Sequence, residues 1–338
     1  MVQSFPEFWS AQRADLPIVP TPSAVHGGTY IVTGGNHGLG KEAAKHLARL
    51  TASRVIISSR SVPAGEAAVA EIERDTGIRG VAEFWQLDLG DFDSVRAFAT
   101  RVTELERVDA VIENASIALD HWTESGGSGA MEATIAVNIV GTFLLGLLVF
   151  PKLVESGQKF GITPHLCIVG SAAGFYCEGV LETIDGDIIK AFNTKGALPM
   201  STRYDSSKLL QLYVFRELAT LLPYSKTGVV VNYLSPGLCN TGLARHATLK
   251  TRIVIRLFNM LLGRTPEMGS RTLLHAAVAG PESHGKYCAD CESERHYVPD
   301  WVCNESGKAI QKRLWEELSG ILNDIEPGCL SRALSTAR

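Results

Sequence analysis

The chain has 338 residues, 45% of them apolar and 20% charged, with a formal net charge of −4. That composition suits a large soluble α/β domain, and its mild acidity offers no attraction to nucleic acid or anionic lipid, so neither is expected as a partner. Seven cysteines, an odd number, are scattered from Cys167 to Cys329, and residues 1–20 carry charges and prolines where a leader would be apolar. Reduced thiols and a cytoplasmic location are the expectation.

Residues 1–28 read as an arm: Phe5, Phe8 and Trp9 recur at helical spacing, then Pro17, Pro20 and Pro22 enforce an extended approach. No chemistry is visible there. Residues 29–33 are a short apolar strand, followed by Gly34-Gly35-Asn36-His37-Gly38-Leu39-Gly40 and a helical run over 41–50. Strand, glycine-rich turn and helix make a pyrophosphate cradle, because the glycines allow close backbone approach and the helix start offers free N–H groups. The spacing is Gly-x-x-x-Gly-x-Gly, not the commoner Gly-x-Gly-x-x-Gly. A second strand, 54–58, delivers Ser59-Arg60. A site selective for NAD places an acid at this strand end to bind the ribose 2′-hydroxyl. Arginine suits a 2′-phosphate through fork-shaped, charge-assisted bonds, which points to NADP(H).

A helix over 64–75 leads to a third strand, 81–87, ending in Asp88-Leu89. Asp88 suits either the adenine amino group or the cap of a helix starting near Phe92. The fourth strand, 108–112, ends in Glu113-Asn114-Ala115-Ser116. A long helix over 131–155 carries Asn138 in apolar surroundings. Part of it, 135–154, has the length of a membrane span, yet it contains Asn138, two glycines and Pro151 and lacks aromatic and basic flanks. A core helix is expected, and no transmembrane segment. The fifth strand, 165–169, delivers Ser171 to the carboxyl edge of the sheet, where open parallel sheets gather function.

Residues 175–203 read as an inserted loop overhanging that edge. Tyr204 and Lys208 then lie four apart, on one helix face, and an ammonium beside a phenol favours the phenolate. The sixth strand, 229–234, ends in Ser235-Pro236-Gly237 with Thr241 beyond, and 238–265 reads as a substrate lid, helical over 244–264. A helix over 267–279, a last strand at 285–289 and an amphipathic helix over 306–322 complete the chain. Alternating strands and helices predict one doubly wound parallel sheet of about seven strands, helices on both faces, spanning 29–290, with 291–338 as a C-terminal extension.

Taken together, these motifs resemble the short-chain dehydrogenase/reductase family over residues 28–290, and the arginine and C-terminal extension resemble its fungal, retinol-dehydrogenase-like branch, many of whose members tailor secondary metabolites. The resemblance implies a Rossmann-type fold and an NADP(H)-dependent carbonyl reductase acting on a small to medium hydrophobic carbonyl or alcohol. It implies Tyr204 as general acid or base, Lys208 lowering its pKa and binding the nicotinamide ribose, and Ser171 donating to the substrate oxygen. Asn138 would hold a water that links Lys208 to solvent. For the cofactor it implies Gly34, Asn36, His37, Gly38, Leu39 and Gly40 at the pyrophosphate loop, with Arg60 and His37 near the 2′-phosphate. Asp88 and Leu89 would meet the adenine, Asn114 the adjoining turn, and Pro236, Gly237 and Thr241 the nicotinamide side.

Two departures stand out. The family's Asn-Asn-Ala-Gly turn is Glu113-Asn114-Ala115-Ser116 here, and the gap from Ser171 to Tyr204 is longer than in the shortest members. An insertion of that kind covers helices that many members use to pair, so both a homodimer and a monomer remain open. A non-redox dinucleotide-binding protein, or an isomerase or cyclase that retains the cofactor, is the alternative on the same fold. Cys288-x-x-Cys291 with His296 and Cys303 offers soft ligands but not the paired spacing of a zinc ribbon, so no metal is expected.

Overall fold

The computed structural model describes residues 4–127, 130–243, 248, 252–253, 259–293 and 298–337. Eight strands form one sheet in the order β3-β2-β1-β4-β5-β6-β7-β8. They are β1 Thr29–Val32, β2 Arg54–Ser59, β3 Ala82–Gln86, β4 Ala110–Glu113, β5 His165–Val169, β6 Val230–Ser235, β7 Tyr287–Ala289 and β8 Glu292–Ser293. The first seven run parallel, as alternation with helices demands, and β7 pairs with β8 antiparallel. The eighth strand is one more than expected. It arises because Asp290 and Cys291 take left-handed φ values of 54° and 63°, folding the chain back on itself without a glycine to announce the turn.

Among the described residues the main helices are α1 Phe5–Arg13, α2 Gly38–Arg49, α3 Val62–Thr76, α4 Phe92–Thr103, α5 Ala133–Phe160, α6 Arg203–Leu221, α7 Pro266–Ala276, α8 Glu305–Ile325 and α9 Cys329–Ser335. The central strands β1, β4, β5 and β6 are buried on both faces, so they read as apolar runs, and their side chains alternate between two cores. Tyr30 and Val32 join α2, α3 and α7 on one face, while Ile31 joins α4, α5, α6 and α8 on the other. Strand β1 pairs with both β2 and β4, so the chain reverses its direction of travel there and opens a crevice at the carboxyl edge.

Helix α5 is long and apolar enough to span a bilayer by composition, but 94% of its most apolar window is buried inside the fold. It is apolar all round because it is enclosed all round. Residues Ala136–Gly141 wind as a π-turn, which the sequence pattern did not announce. Helix α8 buries Leu314, Leu318 and Leu322 along one stripe and packs on α6, while α9 packs on α5. The inserted segment contains a short helix, Ile188–Phe192, whose first amides are capped from α8: Ile189 and Lys190 N–H donate to the Glu317 carboxylate at 2.8 and 2.9 Å. Most of the expected lid helix over 244–264 lies outside the described residues.

Candidate active site

The glycine loop is fixed by what surrounds it. Gly34 takes φ 64°, and a Cβ there would lie 2.9 Å from the Ala115 Cα, so only glycine fits. Asn114 locks the loop, its Nδ2 donating to the carbonyls of Thr33 at 2.8 Å and Gly34 at 3.3 Å. A Cβ on Gly40 would meet that same Nδ2 at 2.7 Å. His37 precedes α2 without a side-chain cap, leaving the first turn open to an anion. Asn36, His37, Gly38 and Leu39 line a cavity of about 1000 Å³ along the carboxyl edge of the sheet. Thr241 reaches the same loop, packing beside Gly38.

At one end of this cavity β2 presents Ser59, Arg60 and Ser61. Arg60 is exposed, and its guanidinium has no hydrogen-bond or ionic partner among the described residues. Asp88 and Leu89 line the wall nearby. Of the two readings of Asp88, helix capping falls to its neighbour: Asp91 accepts from Asp93 N–H at the start of α4, while Asp88 accepts from Gly90 N–H at 2.9 Å.

The other end holds Ser171, Tyr204 and Lys208, with Pro236 and Gly237 opposite. Ser171 sits in extended backbone just beyond β5 and bonds the Tyr204 side chain. Burial pushes the Tyr204 phenol above its ordinary range, and the Ser171 hydrogen bond opposes that rise. The lowering expected from Lys208 is not found. Lys208 is itself buried, and loss of solvent pulls its pKa down to about 7. Its Nζ lies 5.6 Å from the Tyr204 ring centroid and donates to the Val169 carbonyl at 3.0 Å and Gln211 Oε1 at 2.9 Å. Two of its three donors are spent, and one is left for the cavity.

Asn138 is buried in the π-turn behind this group. Its Oδ1 accepts from Ser116 Oγ and Ile117 N, and its Nδ2 donates to the Ile117 carbonyl and Ser207 Oγ, each at 3.0 Å. An amide has two donors and two acceptor lone pairs, so its side chain is saturated.

Residues 29–180 match the short chain dehydrogenase family model. The chain is 40% identical over 319 residues to the short chain dehydrogenase/reductase dmxR8 of Cryptosporiopsis sp., covering 93% of this chain and 96% of that protein. It is 42% identical over 287 residues to the short chain dehydrogenase atnD of Emericella nidulans, covering 84% and 90% respectively. It belongs to the short-chain dehydrogenase/reductase family. Among solved structures, a short-chain dehydrogenase from Sphingobium yanoikuyae in complex with NADPH shares the fold at TM-score 0.54 and 21% identity, over 73% of this chain and 82% of that one.

Within the departing turn, Ser116 has a structural explanation and Glu113 has none. Ser116 turns its hydroxyl onto Asn138 and so completes that residue's bonding. Glu113 is buried, with Oε2 accepting weakly from Thr33 Oγ1 at 3.4 Å and Oε1 unpartnered among the described residues. Burial pushes its carboxyl up to about 8.

Sequence reasoning missed three groups that shape the site of this short-chain dehydrogenase/reductase. Tyr233 on β6 donates to the Lys208 carbonyl at 3.0 Å and accepts from Ser171 N–H at 3.3 Å, joining two site residues through their main chains. The arm returns to the cavity: Phe8, Ala11 and Gln12 of α1 line it. Gln12 accepts from Leu238 N–H at 3.1 Å and donates to the Leu238 and Leu262 carbonyls at 2.8 and 3.0 Å. Arg264 donates to the Ala11 and Pro236 carbonyls and pairs with Asp290, clasping arm and loop together. Only position in the fold reveals these roles. The cysteines form no metal cluster among the described residues: Cys288 faces Ser293, Cys291 contacts the Pro17 carbonyl, and His296 lies outside the described residues.

Proposed function

We propose that this chain is an NADP(H)-dependent reductase that passes hydride between nicotinamide and the carbonyl or alcohol carbon of a small to medium hydrophobic substrate. We place this reaction as ketone reduction in secondary metabolism, from the resemblance to the fungal branch; two fungal relatives are themselves named short chain dehydrogenases. One observation carries the reading: Ser171, Tyr204 and Lys208 line the same cavity as the glycine loop and the exposed Arg60. The loop and the open first turn of α2 suit a pyrophosphate, Asp88 and Leu89 the adenine, and Arg60 a 2′-phosphate. Pro236, Gly237 and Thr241 suit the nicotinamide side, and the third Lys208 donor its ribose. When bound, the cofactor supplies or accepts the hydride.

The protein's own part is acid–base chemistry and orientation. The Ser171 hydroxyl holds the substrate oxygen and stabilises charge that grows on it. Tyr204 donates its proton to that oxygen in reduction and recovers it in oxidation. Phe8, Phe175 and Leu243 give the substrate end an apolar lining.

The test is cofactor oxidation across a panel of ketones and aldehydes. Tyr204→Phe is expected to lose about 10²–10⁴-fold in kcat while still binding NADPH; full activity in that variant sinks the mechanism. Arg60→Asp is expected to shift the NADPH-to-NADH affinity ratio toward NADH, measured by fluorescence titration of both cofactors.

A further inference from the structure

Gln211 lies one turn beyond Lys208 on α6, outside the Tyr204–Lys208 motif that marks the site. It is 1% exposed. Its Oε1 accepts from Lys208 Nζ at 2.9 Å, and its Nε2 donates to the Asn138 main-chain carbonyl at 2.7 Å. That carbonyl belongs to the π-turn Ala136–Gly141, where the regular helical ladder is interrupted and a carbonyl is released for an outside donor. We infer that Gln211 is a positioning residue of the site, a side-chain amide that ties the Lys208 ammonium directly to the π-turn and so sets where the third ammonium donor points. The inference rests on the hydride-transfer reading above.

The chemistry favours an amide in that position. The two groups to be joined are a donor and an acceptor, and glutamine offers an accepting oxygen and a donating nitrogen in one fixed plane. With both bonds made directly, no gap remains in the bridge. Lys208 is held from two sides, by Gln211 and by the Val169 carbonyl at the end of β5, so its position is tied to the strand that delivers Ser171. A neutral amide also adds no charge. A carboxylate at the same atom would hold the ammonium far more tightly and keep it cationic to higher pH. An apolar side chain would leave both the ammonium and the Asn138 carbonyl short of a partner.

The decisive experiment titrates Lys208 itself. Protein labelled with 13C at the lysine ε-carbon, without cofactor, is followed by NMR over pH, and the resonance that titrates far below the other lysines reports Lys208. Relative to the unmodified protein, Gln211→Glu is expected to raise that midpoint by about one pH unit or more, and Gln211→Met to lower it. Midpoints unchanged in both variants overturn the inference. The second arm uses NADPH and trifluoroacetophenone as a generic activated ketone. There Gln211→Met is expected to lose about tenfold in kcat with little change in KM, and its pH profile is expected to move with the NMR midpoint. A pH profile superimposable on that of the unmodified protein also overturns it. If Tyr204→Phe proves fully active, the hydride reading falls, while the lysine titration still decides the role of Gln211.

Discussion

Tyr204 and Lys208 occupy a setting in which burial opposes charge on both: the phenol is pushed up and the ammonium pulled down to about 7. Desolvation of this kind keeps the pair near neutrality until a ligand supplies compensating charge, which suits a group that must exchange a proton within the working pH range. Glu113 shows the same physics without a role in proton transfer. Its folded pKa of about 8 lies above the ordinary 4.5, so the folded state binds the extra proton throughout that window. Stability should therefore be fullest below the lower value and fall as pH rises toward the upper one. Lys208 has the opposite sign, since its folded pKa lies below 10.5, and its contribution rises with pH above about 7. Glu113→Gln is expected to remove the first slope and leave the second. Thermal melts at a series of pH values check this: a variant whose melting temperature still declines from about pH 5 to about pH 8 as steeply as the parent protein contradicts the assignment.

At the scale of elements, the parallel strands and their helices were legible because burial on both sheet faces produces apolar runs and one-sided burial produces helical periodicity. The candidate site was legible where the proposed chemistry demands a residue type, as at the glycine loop, Ser171 and Tyr204, which line one cavity. What stayed hidden depends on long-range packing. Nothing local marks the π-turn around Asn138, the β8 hairpin built on Asp290 and Cys291, or the place where α1 docks, whose partners lie more than two hundred residues away. Gly237 is the junction of that docking. It takes φ 75°, and a Cβ would lie 2.5 Å from Gln12 Oε1 and 2.8 Å from Arg264 Nη1. Gly237→Ala combines left-handed strain with a clash, and about 1–2 kcal/mol of destabilisation together with weakened NADPH binding is expected from denaturant melts and cofactor titration. Unchanged stability and affinity would show that the clasp gives way without cost.

Across the whole molecule, the ends of the chain serve opposite purposes. Helices α8 and α9 cover the outer faces of α6 and α5, the helices that carry Tyr204, Lys208 and Asn138, so the helices of the candidate site are braced from behind by the same chain. The start of the chain closes the front, because Phe8, Ala11 and Gln12 form part of the cavity wall. A ligand that fills the cavity therefore meets α1 and, by mass action, must favour its docked state. To a protease the arm is then a gauge of occupancy. Arg13 is exposed in the last turn of α1, and cleavage after it requires that turn to open. Saturating NADPH is expected to slow tryptic cutting at Arg13 several-fold, followed by mass spectrometry of the released peptide, and equal cutting rates with and without NADPH would separate the arm from the cofactor. The first dozen residues thus make resistance to digestion a readout of cofactor binding that needs no knowledge of the substrate.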